Sequence, residues 1–234
     1  MKNIKRYTSL FLTALMICSK VIAQNTPTAF KVPAYEKIIL PNGLSIYLME
    51  QHEVPVISLS AIIPAGAIYD GVKSGLASLT AAGLQYGTKS YSKTKIEEEL
   101  DFIGASLNTY ANKESAGLSS KFAAKDADKV LPILKEVLVD PVFDQGEFEK
   151  ERKRVLSNLD QAKLSPRNVI NAYWDKFIFG DHVYSNPVSG SPATVGKFII
   201  EDLRDFYKSN YGPQGSAIAI VGDFNSQEMK TRLR

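Results

Sequence analysis

Cysteine is almost missing from this chain: Cys18 is the only one in 234 residues. It falls in a stretch that reads as a removable leader. The expected mature chain therefore has no disulfide, no thiol nucleophile and no cysteine-based metal site. Histidine is nearly as scarce. His52 and His182 lie far apart and share no helical spacing, so they form no two-histidine metal motif. Long apolar runs are lacking too. The stretch Leu10 to Ile17 falls short of the ~20 residues that cross a bilayer, and Lys20 soon follows. A basic surface is also absent. Lys2, Lys5, Arg6 and Lys20 all sit in the leader; taking those four from 28 basic residues leaves 24 against 25 acidic ones. That balance argues against nucleic acid or an anionic membrane as a partner.

Residues 1–23 have the organisation of a secretory signal peptide. Lys2, Lys5 and Arg6 make a charged start, the apolar centre follows, and Val21-Ile22-Ala23 puts a small residue at the cut. Gln24 is the expected first mature residue, and the expected compartment lies across the inner membrane, in the periplasm. Residues 24–34 form a polar, proline-containing linker.

From Tyr35 the pattern is that of a folded domain. Two strands, Tyr35 to Leu40 and Ser45 to Met49, flank Pro41-Asn42-Gly43, a hairpin signal because Asn and Gly tolerate positive φ. Val54 to Ala65 is a nearly continuous apolar strand suited to the middle of a sheet. Ser92 caps a helix reaching Ile103. Ala105 to Asn112 and Ala116 to Ala123 alternate as a strand pair turning at Lys113-Glu114. Helices are expected over Asp126 to Asp140, over Gly146 to Leu164, and from Ser165-Pro166 onward with Val169, Ile170, Tyr173, Trp174 and Phe177. After a loop from Gly180 to Pro192 come a helix at Glu201 to Asn210, a strand at Ser216 to Val221 and a helix capped by Asn225. The expected fold is α+β: a mostly antiparallel sheet with helices packed on one face.

One stretch sets the functional reading, Gly75-Leu76-Ala77-Ser78-Leu79-Thr80-Ala81-Ala82-Gly83-Leu84-Gln85-Tyr86-Gly87-Thr88. Ser78, Ala81 and Ala82 are spaced i, i+3, i+4 and share a helix face. Taken alone, they are a stripe of small residues that lets another helix approach. Their frame, however, resembles the pitrilysin/insulinase family of zinc peptidases, in which this helix reads G-L-A-H-x-x-E-H-x-L-x-x-G-T. Gly75-Leu76-Ala77, Leu84 and Gly87-Thr88 match in place. By this resemblance Ser78 and Ala82 stand at the zinc-binding histidines and Ala81 at the general-base glutamate. Two His at i, i+4 can grip one metal while the Glu takes a proton from its water. None of these three residues serves either purpose.

The resemblance covers essentially the whole mature chain. Leu40-Pro41-Asn42-Gly43-Leu44 looks like the family's opening strand. Glu151-Arg152-Lys153-Arg154-Val155-Leu156-Ser157-Asn158 looks like the helix that carries its third ligand; Glu151 is retained, and Asn158 stands at the ligand position. Gly104 to Tyr110 resembles the edge strand that binds extended peptides, which implies peptide contacts at Asn108, Thr109 and Ala111. Asp181-His182-Val183-Tyr184 resembles a structural loop of the family. The implied organisation is an insulinase-like N-terminal peptidase domain over 35–190, with 191–234 beginning a following inactive segment that is cut short.

Without a metal ion to act as Lewis acid, water keeps its pKa of about 15.7. The resemblance therefore implies a homologue with no zinc, no other cofactor and no catalysis of its own. Its implied role is a subunit that shapes a chamber and binds peptide for a zinc-bearing family partner. Two other readings remain at this level. One is an active metalloendopeptidase with an unorthodox site drawn from His52, His182, Glu151 and Asp181. The other is a fragment of a longer family member.

Overall fold

The structure is a computed structural model that describes residues 32–233. The expected leader, Cys18 and all of the linker but its last three residues lie outside the described residues. From Tyr35 onward the chain forms one unit built on a six-stranded sheet in the order β1-β2-β6-β3-β5-β4. The strands are β1 (Glu36–Ile39), β2 (Ser45–Glu50), β3 (Val56–Ile63), β4 (Ser106–Ala111), β5 (Ala116–Ala123) and β6 (Ala217–Gly222). Every pairing is antiparallel except that of β2 with β6, which is parallel. The helices are α1 (Leu76–Gly83), α2 (Lys93–Phe102), α3 (Ala127–Val139), α4 (Gln145–Ala162), α5 (Pro166–Phe179), α6 (Pro192–Val195), α7 (Ile200–Asn210) and α8 (Ser226–Arg232). Among the described residues no helix is long and apolar enough to cross a membrane.

The α+β expectation is met, and the alternation of β3 shows why. Ile57, Leu59, Ala61 and Ile63 are buried, whereas Ser58 and Ile62 on the opposite face are exposed. A strand has period two, so one face can be apolar and covered while the other meets water. The buried face packs with Val130, Ile133, Leu134 and Val137 of α3 and Leu203 and Phe206 of α7 in a single core. Helix starts follow the expected caps. Ser92 accepts from the Lys95 N–H at 3.2 Å, and Asn225 accepts from Gln227 and Glu228.

The domain division expected at 190/191 is not a boundary in the fold. Strand β6 lies between β2 and β3, so residues 191–234 supply an inner strand of the same sheet. A hairpin-by-hairpin reading of sequence misses this, because β6 enters between two strands that precede it by more than 150 residues.

The start of α1 is held by four hydrogen bonds and one close backbone approach. Asp70 is buried, and its carboxylate accepts from the Gly75 and Ala77 N–H groups, each at 2.8 Å. Gly75 has φ of +98°, and a Cβ there would lie 2.8 Å from the Gly190 Cα, so both the conformation and the close approach require glycine. The Ser74 hydroxyl donates to the Pro187 carbonyl at 2.8 Å, and the Thr194 hydroxyl donates to the Ser74 carbonyl at 2.8 Å. These contacts tie the helix start to the 187–194 segment.

Asp70→Ala should cost about 1–3 kcal/mol in urea unfolding, since two buried N–H groups lose their acceptor. Burial pushes the Asp70 carboxyl up to about 6, against the opposing effect of its N–H donors. A carboxyl raised in the folded state binds its proton there before the unfolded chain does. Its contribution to stability therefore grows as pH falls from about 7 toward 4. The stability of wild type relative to Asp70→Asn should rise over that interval; a flat difference would contradict this assignment.

Candidate functional site

Helix α1 buries Leu76, Ala77, Leu79, Thr80 and Ala81 and leaves Ser78 and Ala82 half-buried. Opposite them runs α4. Asp144 caps it by accepting from the Glu147 N–H at 2.9 Å, and it buries only Phe148 among its residues. The Arg152 guanidinium lies 5.4 Å from the Phe148 ring centre and donates to the Phe198 carbonyl at 2.6 Å, which anchors this first part of the helix. Val155 and Leu159 are half-buried and packed against the core.

Between α1, α4 and β4 lies a cleft of about 430 Å³. Ser78 and Ala82 line one side, Glu151, Arg154 and Asn158 the other, and Thr109 enters from β4. Ser78, Ala82 and Asn158, which the resemblance sets at metal-ligand positions, thus come together in space, although Asn158 follows Ala82 by 76 residues. Ala81 is the exception: it is fully buried and does not reach the cleft.

Strand β4 lies at the edge of the sheet. Thr109 accepts from the Gln85 amide at 2.8 Å, which links the strand to the segment after α1. Ala111 shares the face of Thr109 through the strand's alternation, whereas Asn108 is exposed on the opposite face. Of the three expected contact residues only Thr109 lines the cleft.

Two charges stand in the cleft. The Glu151 carboxylate accepts from Arg154 Nε at 2.7 Å and also from Arg154 Nη2. Glu151 is mostly covered, at 17% side-chain exposure, and Arg154 is open, at 63%. Its hydrogen bonds to the Glu151 carboxylate raise the guanidinium above its ordinary pKa, so it is always charged. Tyr86 is buried, and its hydroxyl finds no hydrogen-bond partner among the described residues. Burial pushes its phenol upward, with Glu151 adding to the effect, so the group is neutral. Sequence reading missed Arg154 as a site residue, although its i, i+3 spacing from Glu151 is visible on a helix.

Around this cleft the side chains offer one carboxylate, already engaged, and the neutral oxygens of Ser78, Thr109, Asn158 and Ser189. Zinc takes three or four nitrogen, sulfur or carboxylate ligands. This donor set does not fit it. The residues of the unorthodox-site reading are not brought together either. His52 Nδ1 lies 2.7 Å from Asp223 and its Nε2 lies 3.3 Å from Glu50. His182 stacks on Tyr184, Asp181 pairs with Lys176, and Glu151 pairs with Arg154. Among the described residues no cluster of three His, Cys, Asp or Glu side chains is placed to hold a metal.

A family model described as Insulinase (Peptidase family M16) matches residues 46–191. Cytochrome b-c1 complex subunit 1, mitochondrial, of Rattus norvegicus is 27% identical over 199 residues, which is 85% of this chain and 41% of that protein. An uncharacterized zinc protease of Rickettsia bellii (strain RML369-C) is 24% identical over 191 residues, 81% of this chain and 46% of that protein. Among solved structures, a peptidase M16 inactive domain from Pseudomonas fluorescens matches with a TM-score of 0.81 at 22% identity, covering 85% of this chain and 48% of that one. This last likeness is one of fold. The chain spans less than half the length of each.

Tyr86→Phe removes a buried hydroxyl that has no protein partner. Thermal and urea unfolding should show stability unchanged or raised by up to about 1 kcal/mol. A loss above that range would mean the hydroxyl has a bonded partner beneath the cleft.

Proposed function

This chain belongs to the insulinase family (peptidase family M16), and on that premise we propose that it is a secreted, periplasmic, non-catalytic subunit acting with a zinc-bearing chain of the same family. It supplies chamber wall and a peptide-binding edge to that partner. The observation that carries this reading is the meeting of Ser78, Ala82 and Asn158 on one cleft whose one carboxylate among the described residues is paired with Arg154. Such a donor set holds no metal ion that could generate hydroxide from water at neutral pH. The secretory role rests on the pattern of residues 1–23.

Peptide binding is assigned to β4. An edge strand presents main-chain N–H and C=O groups that an extended peptide can pair with. Thr109, held by Gln85, would then set the face toward the cleft. The partner role draws support from α5. Ile170, Tyr173, Trp174 and Phe177 are 57%, 72%, 61% and 79% exposed on this helix, and the Trp174 and Phe177 ring centres are 5.9 Å apart. Exposed apolar side chains gathered on one helix face support a contact with another macromolecule. The helix is held to the body by Lys113, whose ammonium donates to Asp175 at 2.8 Å and to the Tyr184 and Asn186 carbonyls. We assign this face to the partner chain.

Affinity purification of the tagged mature chain from its own envelope fraction should recover a related chain with an intact H-x-x-E-H helix. The mature chain alone should neither hold stoichiometric zinc nor cut peptides. Stoichiometric zinc together with cleavage by the isolated chain would overturn the reading.

The double variant Trp174→Ser/Phe177→Ser should lose the partner while its unfolding free energy stays within about 0.5 kcal/mol of wild type, as for exposed positions. Undiminished recovery of the partner would remove α5 from the interface.

A further inference from the structure

Glu151 and Arg154 lie one turn apart on α4 and are the charged side chains that line the cleft. They are joined as a fork, with Nε 2.7 Å from Oε2 and Nη2 on Oε1. The carboxylate is the covered member and the guanidinium the open one. We infer that the cleft has been rebuilt rather than merely emptied: Arg154 supplies a permanent organic cation that balances Glu151 and keeps divalent metal ions out. This rests on the reading of the cleft as the counterpart of the family's zinc site.

The chemistry of the pair carries the inference. A guanidinium does not deprotonate in proteins, so its charge cannot be titrated away to admit a metal. Its fork holds both oxygens of Glu151, and a metal seeking that carboxylate must first displace a charge-assisted, two-point contact. A divalent ion about 5 Å from the guanidinium would also be repelled, and even at the dielectric of water that repulsion corresponds to about tenfold in affinity. Restoring metal ligands at the neutral positions therefore leaves an obstacle in place. Ser78, Ala82 and Asn158 all line the cleft, so ligands introduced there would face the same space as Arg154.

The test uses the triple variant Ser78→His/Ala82→His/Asn158→Glu in the mature chain, with Arg154 kept, changed to Gln, or changed to Lys. Position 81 is left alone because Ala81 is fully buried. Zinc alone is titrated against a chromophoric chelator, and circular dichroism and thermal unfolding report folding. With Arg154→Gln, zinc should bind at least about tenfold more tightly than with Arg154 kept and should raise the unfolding temperature. Arg154→Lys retains the charge, so its zinc affinity should stay low. Equal affinity with Arg154 kept and with Arg154→Gln would overturn the inference and leave the cleft's correspondence intact. No zinc binding in any folded variant would overturn that correspondence, and this inference with it. If the triple variant does not fold, the lighter pair Ala82→His/Asn158→Glu, with Glu151 as third donor, is read by the same criteria.

Discussion

The buried Asp70 carboxylate holds the N–H groups of Gly75 and Ala77, and the geometry of the cleft depends on that contact. A helix leaves its first N–H groups without internal partners, and burying them unpaired is costly. Here the acceptor comes from outside the helix, and it also fixes where the helix starts. The approach of Gly75 to Gly190 then sets how closely the 187–194 segment can lie. Ser78 and Ala82 follow at fixed helical offsets and are thereby aimed at α4.

On the other side, the electrostatics are decided within one turn of α4. A partly covered carboxylate needs a counter-charge, and Arg154 provides it from three residues away. The same pair accounts for two properties of the cleft. It is close to electrically neutral, and the donor atoms that a metal would want are already engaged. Tyr86 lies where the charge of Glu151 reaches it and is kept neutral by its burial.

The second half of the helical layer is built differently from the first. Helices α3 and α7 bury apolar faces in the common core. Helix α4 buries one side chain fully, and α5 buries none. Most helical stability comes from tertiary packing, so α4 and α5 rely on fewer anchors: Phe148 with Arg152, and Lys113 reaching Asp175 and two carbonyls. The cost of this arrangement is an apolar face open to solvent on α5. That face makes sense if another surface covers it in the assembly proposed here.

Much of the fold was legible in the sequence because its signals are local. Asn42-Gly43 marked the first hairpin, Ser92 and Asn225 marked helix starts, and the nearly continuous apolar run from Val54 to Ala65 marked an inner strand. The frame of Gly75-Leu76-Ala77 and Gly87-Thr88, with Glu151 and Asn158 at their spacing, also gave the family by resemblance. Other features are non-local and were decided only by tertiary structure. The placing of β6 between β2 and β3 depends on which apolar strands remain unpaired once the hairpins have formed. That Ala81 is buried while Ser78 and Ala82 face the cleft depends on how α1 is rotated over the sheet. The role of Asp70 depends on burial, and that of Arg154 on which wall of the cleft α4 presents. Sequence fixes residue types and their periodicity along the chain; the tertiary fold fixes which of them share a volume and therefore which charges and donors act on one another.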